Sequence, residues 1–187
     1  MDDLAPWFST PDRRGSRALA SWLRARQPLY ALLDTARDPT VGEVLAASDC
    51  WRENLFTGER AERLAAYAPY LVQLGPDARL LDDLIPHWDA HWGVFLTSPA
   101  PAADLLAHLR ELIWPDTPSG PMLWRCYDPR VLRAVLPTCD GRRAAAFFGP
   151  VQAFLCAGAT PDTLLHCTCT ADGVAVRAQA ISALPRT

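Results

Sequence analysis

Two histidines at metal-ligand spacing, His87 and His91, stand four residues apart in the chain. One face of a helix can offer zinc two ligands at this spacing. The helical zinc-hydrolase pattern needs Glu directly after the first His, but Trp88 stands there and Pro86 precedes the pair. We therefore expect these histidines to pack within the fold rather than to hold a metal.

A second group of possible ligands or nucleophiles comprises His166, Cys167 and Cys169. On a strand, the two cysteines would share one face and His166 would point to the other. A zinc site would need two further ligands, and no second Cys-x-x-Cys pair supplies them. The sequence also has no Gly-rich phosphate loop and no Gly-x-Ser-x-Gly turn. We expect no catalytic residue, no metal and no cofactor.

The most informative segment reads Trp-Arg-Cys-Tyr-Asp-Pro-Arg and spans residues 124–130. We expect a strand that ends directly before Asp128 and a helix that begins there. Asp128 is a favourable N-cap, and Pro129 suits the first helical position because its missing N–H is not needed. Arg125 and Arg130 flank Asp128, which predicts an internal Arg–Asp–Arg cluster.

This segment resembles the Tyr-Asp-Pro-Arg signature of an adaptor family of type VI secretion systems. Its lead-in, Trp-Arg-Cys, departs from the family's usual Phe-Arg-Phe. Five further segments match the family in the same order, so the resemblance covers roughly residues 29–151: Tyr30–Ala36, Ala68–Leu74, Trp92–Ser98, His108–Arg110 and Phe147–Val151.

The resemblance implies a non-catalytic adaptor-chaperone. Such proteins bind a cognate secreted effector, help to dock it on the VgrG spike or its tip protein, and are thought to remain behind when the spike fires. The family-motif residues, which we expect to be structural, are Asp34, Trp92, Gly93, Arg110, Arg125, Tyr127, Asp128, Pro129 and Arg130.

Two other functions stay open. An immunity protein would bind a toxin to block it rather than to deliver it. A small metal-dependent hydrolase would use the histidines and cysteines named above.

Strand and helix patterns alternate through the matched region. Short apolar runs predict five strands, and the segments between them read as helices, the first of which begins near Thr40 as a possible N-cap. This alternation predicts an α/β fold, with α+β also possible, in which helices cover a mixed or mostly parallel sheet. The predicted strands span residues 29–33, 54–56, 70–74, 93–96 and 122–127.

The C-terminal part of the chain differs from this alternation. Residues 129–136 and 142–155 predict a helical lobe, and Asp172-Gly173 between two strand-like runs predicts a terminal β-hairpin. We therefore divide the chain into an N-terminal arm and helix (1–28), an adaptor-like α/β domain (29–151) and a C-terminal extension that carries the hairpin (152–187).

Composition narrows the classes of partner. The formal net charge is -3, which argues against a broad basic surface for nucleic acid. All 18 basic residues are arginine. No run of about 18 apolar residues predicts a membrane span. The start, Met1-Asp2-Asp3-Leu4, lacks signal-peptide features, so we expect a cytoplasmic protein with reduced cysteines.

One segment offers a candidate partner-binding surface. Residues 147–155 place apolar side chains at helical spacing, beginning with Phe147 and Phe148, and Arg142 and Arg143 precede them. Cations are unfavourable at a helix N-terminus, so these arginines can serve a contact outside the helix. The alternative is that the phenylalanines pack beneath the sheet while the arginines are solvated. The next candidate is the N-terminal extension with Trp7 and Trp22.

Overall fold

A computed structural model describes residues 13–115, 120 and 122–185. Its centre is a seven-stranded sheet in the order β2-β3-β1-β4-β5-β6-β7. The strands are β1 (Leu29–Asp34), β2 (Arg52–Asn54), β3 (Pro69–Leu74), β4 (Gly93–Thr97), β5 (Ala153–Ala157), β6 (Thr163–Thr170) and β7 (Gly173–Ala180).

Seven α-helices lie between and around these strands in the described part of the chain. They are α1 (Arg13–Arg24), α2 (Pro39–Ala46), α3 (Gly58–Arg63), α4 (Leu80–Leu84), α5 (Ala102–Ile113), α6 (Pro129–Val135) and α7 (Gly141–Phe148). Short 3₁₀ turns follow some of these elements, at Ala65–Tyr67, Ile85–Ala90, Leu136–Thr138 and Ile181–Ala183.

The central strands β1, β4 and β5 are buried on both faces of the sheet, which explains why they read as continuous apolar runs. All six residues of β1 are buried. Leu29, Ala31 and Leu33 enter a core shared with α1, α2 and α4, whereas Tyr30 and Leu32 enter a second core beneath α5, α6 and α7. The α/β fold class predicted from the sequence is therefore confirmed.

The direction of the strands differs from the expectation of a mixed or mostly parallel sheet. Each pairing between neighbouring strands is antiparallel. Helices connect consecutive strands that are not neighbours in the sheet, such as β3 and β4, which lie on either side of β1. Helices also connect consecutive strands that are antiparallel neighbours, such as β4 and β5. The alternation of strands and helices in the sequence therefore did not determine whether neighbouring strands are parallel or antiparallel.

Two local predictions between α5 and β5 were wrong. Residues 122–127 form no strand and lead into α6 as an extended segment and a turn. The predicted helix 142–155 ends at Phe148, because Gly149 has φ +48 and Pro150 follows. The chain then forms β5, so Phe154 and Leu155 lie on opposite faces of a buried strand.

The predicted hairpin is present, with Asp172 in its turn, and it belongs to the main sheet. Strand β6 pairs with β5 and β7 with β6, so the hairpin continues the sheet rather than forming the appendage that we expected. The expected boundary between residues 151 and 152 falls within this sheet, since β5 pairs with β4.

Aspartates cap three of the helices. Asp38, rather than the expected Thr40, caps α2 and accepts the Thr40 N–H. Asp128 caps α6 as predicted, and Asp140 caps α7. Within the described ranges, none of the helices is both long and apolar enough to cross a membrane.

Candidate functional site

The site begins with Asp34, the last residue of β1, whose side chain is 2% exposed. One carboxylate oxygen accepts the N–H of Ala36 at 3.2 Å. The other accepts a hydrogen bond from Arg125, which lies in the loop before α6. The backbone N–H of Asp34 donates to the carbonyl of Trp92 at 2.7 Å, just before β4. Asp34 thus joins β1, the start of β4 and the loop that carries the motif.

A second buried carboxylate lies at the start of α6. Asp128 Oδ1 accepts the backbone N–H of Arg130 at 2.9 Å and its Nε–H at 3.0 Å, while Oδ2 accepts Nη2–H at 2.7 Å. This is a bidentate pair combined with an N-cap, and Pro129 fills the first helical position. The predicted cap is therefore confirmed.

The predicted Arg–Asp–Arg cluster takes a different form. Arg125 hydrogen-bonds to Asp34, and it influences Asp128 only through its charge. The motif region therefore contains two separate ion pairs. Tyr127 is buried, and its ring lies 5.7 Å from the Arg125 guanidinium. The sequence could not reveal Asp34 as a partner because the contact is long-range.

Burial and charge set the protonation of this cluster. Burial alone would raise the pKa of Asp128, but the hydrogen bonds from Arg130 and the charges of Arg130 and Arg125 outweigh it, so the pKa lies below its usual value. The pKa of Tyr127 is raised, first by burial and then by the charge of Asp34. Burial also raises the pKa of the Cys126 thiol to about 12.

These groups are poorly suited to acid–base or nucleophilic chemistry. The carboxylates of Asp34 and Asp128 already accept hydrogen bonds from the chain at both oxygens, and Tyr127 and Cys126 stay protonated at neutral pH. The arrangement instead fixes the entry of α6 against the end of β1.

Trp92 and Gly93 complete the same region. The indole of Trp92 is 1% exposed and donates to the carbonyl of His87 at 2.7 Å. A Cβ on Gly93 would lie 2.1 Å from the carbonyl oxygen of Leu32 on the neighbouring strand, so only glycine fits without movement of the backbone. Both motif residues are therefore structural in this fold.

Arg110 lies apart from this cluster. Its guanidinium donates to the carbonyl of Asn54 at 2.7 and 3.3 Å and lies 3.7 Å from Glu53. Arg110 therefore connects α5 to β2, the short strand at the edge of the sheet opposite β7.

The candidate partner-binding residues separate into two environments. Phe147 and Phe148 are 3% and 2% exposed and pack on Phe154 with ring-centroid distances of 5.1 and 5.2 Å. They belong to the core and cannot border a surface, so this part of the hypothesis is corrected. Arg142 and Arg143 are exposed on the first turn of α7, where they remain available to a partner.

The two histidines considered as zinc ligands do not share a regular helix. His87 has non-helical φ and ψ within the 3₁₀ turn, and His91 takes the left-handed conformation with φ 58. Among the described residues, no cluster of three or more potential ligands could hold a metal ion. The sequence did not indicate that His91 lies near the motif residues. In the structure its pKa is lowered by burial and by the charges of Arg133 and Arg130, both on α6.

Three of the six cysteines, Cys126, Cys156 and Cys167, are buried in the core, and all six thiols are free. Cys156 and Cys167 lie on adjacent strands and hydrogen-bond to each other. This hydrogen bond, and then burial, raise the pKa of Cys156. For Cys167 the hydrogen bond lowers the pKa and outweighs burial, which acts in the opposite direction. His166 lies on the opposite face of β6 from Cys167, as predicted, so it cannot act as that thiol's base.

Together, the fold and the ion-pair cluster define an α/β domain in which buried Asp–Arg pairs join an antiparallel sheet to a capped helix. Residues 29–146 match the family described as "Domain of unknown function (DUF4123)". Because the match covers more than half of the chain, the protein belongs to the DUF4123 family. No curated protein and no solved structure gives a significant match.

Proposed function

We propose that this protein is a non-catalytic adaptor-chaperone that binds a cognate type VI secretion effector and helps to load it onto the VgrG spike. The observation that carries the proposal is the Tyr-Asp-Pro-Arg signature at residues 127–130, within the matched family region. The resemblance of this signature to the adaptor family links the chain to secretion.

The geometry of the signature supports a scaffold rather than a reaction centre. Both carboxylate oxygens of Asp128 accept hydrogen bonds from Arg130, and those of Asp34 accept hydrogen bonds from Arg125 and from the backbone. Such pairs position loops and helix ends, and they leave no free carboxylate in this cluster to exchange protons with a substrate.

Exposed charge supplies a candidate contact for the partner. Arg142 and Arg143 stand on the first turn of α7, where the helix dipole disfavours cations. Arg143 lies 3.9 Å from Asp140, with both side chains largely exposed, so this contact contributes little stability. We propose that the two arginines border the effector-binding surface, where they select the partner electrostatically.

Co-expression tests the proposal. The tagged chain is produced with proteins encoded beside its gene, and its complexes are purified and identified by mass spectrometry. We expect a stoichiometric complex with a toxin-like effector, and effector transfer to the spike protein in a second pull-down. A chain that captures neither an effector nor the spike protein would contradict the adaptor function.

The immunity alternative predicts a different phenotype. Deletion of an immunity gene exposes the cell to its own toxin, whereas deletion of an adaptor gene leaves the cell viable but blocks delivery of the effector. The hydrolase alternative predicts stoichiometric zinc in protein purified without added metal, which elemental analysis measures directly.

A further inference from the structure

Among the described residues, β7 is the last strand on one side of the sheet, and no further strand pairs with its outer edge. It is eight residues long, contains no proline and carries a single charge, at Arg177. Its residues from Val176 to Ala180 are all exposed. Edge strands of this length are usually shielded by proline, bulges or several charges, and β7 has none of these along residues 176–180 except Arg177.

The hairpin fixes which backbone groups point outward. Its two-residue turn makes Thr170 and Gly173 the first pair, and the pairs then alternate between hydrogen-bonded and non-hydrogen-bonded. The hydrogen bond from the Ile181 N–H to the Asp162 carbonyl at 2.9 Å shows that residues 162 and 181 are a hydrogen-bonded pair, as this alternation requires. Val176 and Ala178 therefore direct their N–H and C=O groups away from β6.

Little of this edge is covered by the described part of the chain. A bridge from Asp140 reaches Gly173, the first residue of β7. No backbone bond to another segment engages Val176 or Ala178 among the described residues. The exposed backbone thus resembles the edges to which domains add an extended peptide as an extra strand.

An apolar groove of about 410 Å³ lies beside this edge. The sheet face of β5, β6 and β7 forms its floor, and α6 with the following 3₁₀ turn forms its wall. On the floor, Val176 and Ala178 of β7 lie beside Leu165 of β6. The wall side chains include Leu132, Leu136 and Pro137. A strand added to β7 would place every second side chain on this face of the sheet.

The opposite face of the edge is basic. Arg177 pairs across the hairpin with His166, and Arg26 lies over the ring of Trp22, which itself contacts the His166 ring. The charges of Arg26 and Arg177, after burial, lower the pKa of His166. Within the described residues, no carboxylate forms an ion pair with Arg177 or Arg26.

This charge argues against a second copy of the chain as the occupant. Two copies of β7 paired antiparallel about Arg177 would place the two arginines directly opposite each other, which is destabilising. A strand with a carboxylate at that position would instead neutralise the arginine.

We propose that the outer edge of β7 binds an extended segment of the secreted effector as an eighth strand. Alternate apolar side chains of that segment face the groove, and an acidic residue faces Arg177. The proposal rests on the adaptor function and extends the surface named for it, because Arg142 and Arg143 follow Asp140, the residue that bridges to the start of β7.

The test uses the effector that the wild-type chain captures in the co-expression experiment. Ala178→Pro removes an outward N–H but no bond to β6, and edge strands tolerate proline at such positions. We expect it to weaken effector binding at least tenfold, as measured by calorimetry, with little change in melting temperature. Arg177→Glu should also weaken binding, whereas the control Arg63→Glu, on α3, should not.

Amide hydrogen exchange keeps the test valid if the proline variant does not fold. In the wild-type complex, the amides of Val176 and Ala178 should gain protection on addition of the effector. Unchanged exchange there would overturn the β7 proposal even if capture is normal, as would full binding by folded Ala178→Pro. Dimerisation of the free chain that Ala178→Pro abolishes would assign the edge to a second copy instead. Failure of the wild-type chain to capture any effector would contradict the adaptor function itself.

Discussion

Arg125 and Asp34 are 91 residues apart in the chain and form an ion pair in which the carboxylate is 2% exposed and the guanidinium side chain 42% exposed. The pair connects the end of the central strand β1 to the loop that precedes α6. It therefore holds the motif loop in place through a long-range contact rather than through local sequence.

Removal of Arg125 should destabilise the fold. Arg125→Gln leaves the buried carboxylate of Asp34 without its charged partner, and an unsatisfied buried group costs about 1–3 kcal/mol. Urea unfolding followed by circular dichroism measures this loss. The control Arg63→Gln, which removes the exposed pair with Glu59, should change the free energy of unfolding by less than about 0.5 kcal/mol. Equal, small effects for both variants would show that the Asp34 pair contributes no more than a surface contact.

Gly93 should not tolerate a side chain. In Gly93→Ala, the new Cβ would lie 2.1 Å from the Leu32 carbonyl oxygen, so β1 and β4 must separate. We expect a loss of about 1–3 kcal/mol of stability. Gly75→Ala is the matched control, because a Cβ there meets nothing within 4 Å. A melting temperature of Gly93→Ala equal to that of the control would contradict the packing seen here.

Asp128 should act chiefly through stability. Asp128→Ala removes the cap of α6, which costs about 0.5–2 kcal/mol, and also frees Arg130. Asp128→Asn keeps a capping oxygen and should lose less. Both variants should still capture the effector at temperatures well below their melting points. Wild-type melting combined with abolished capture would make Asp128 an interface residue instead.

The same carboxylate predicts a dependence of stability on pH. Because the pKa of Asp128 is lowered in the folded state, it contributes stability fully above its unperturbed pKa of 3.8 and loses it as the pH falls through the lower folded value. The stability difference between wild type and Asp128→Asn should therefore shrink as the pH falls below the unperturbed pKa of 3.8. A difference that stays constant over this range, measured by urea titration at each pH, would show that the charge of Asp128 does not contribute.

Local signals in the sequence predicted much of the fold and part of the site. The caps and breakers around Asp128 and Pro129 defined the start of α6, and Asp172-Gly173 defined the hairpin, because both act within a few residues. The apolar runs placed β1, β3 and β4, whereas β2 shares only Asn54 with the predicted strand 54–56, because β2 is a polar edge segment. Long-range features were missed: the Asp34–Arg125 pair, the antiparallel direction of the sheet, and the continuation of the sheet through β5.

The fate of Phe147 and Phe148 shows why the candidate surface was only partly right. An apolar stripe at helical spacing predicts one buried face, but it does not reveal whether a partner or the chain's own sheet covers that face. Here Phe154, on β5, supplies the cover. The exposed arginines beside the stripe are not affected by this correction.

Reversal of charge at Arg142 and Arg143 should weaken capture of the effector without unfolding the protein. Both side chains are exposed on the first turn of α7, where negative charge is favourable to the helix dipole, so Arg142→Glu/Arg143→Glu should melt at or slightly above the wild-type temperature. Binding should fall most at low salt, where exposed charges are least screened. Calorimetric titration with the captured effector at several ionic strengths measures this, and Arg63→Glu/Arg79→Glu, which reverses two exposed charges elsewhere, is the control. Normal capture by the double variant at every ionic strength would exclude this surface and direct the next test to the N-terminal extension. There Trp22 is buried on α1, while Trp7 lies outside the described residues.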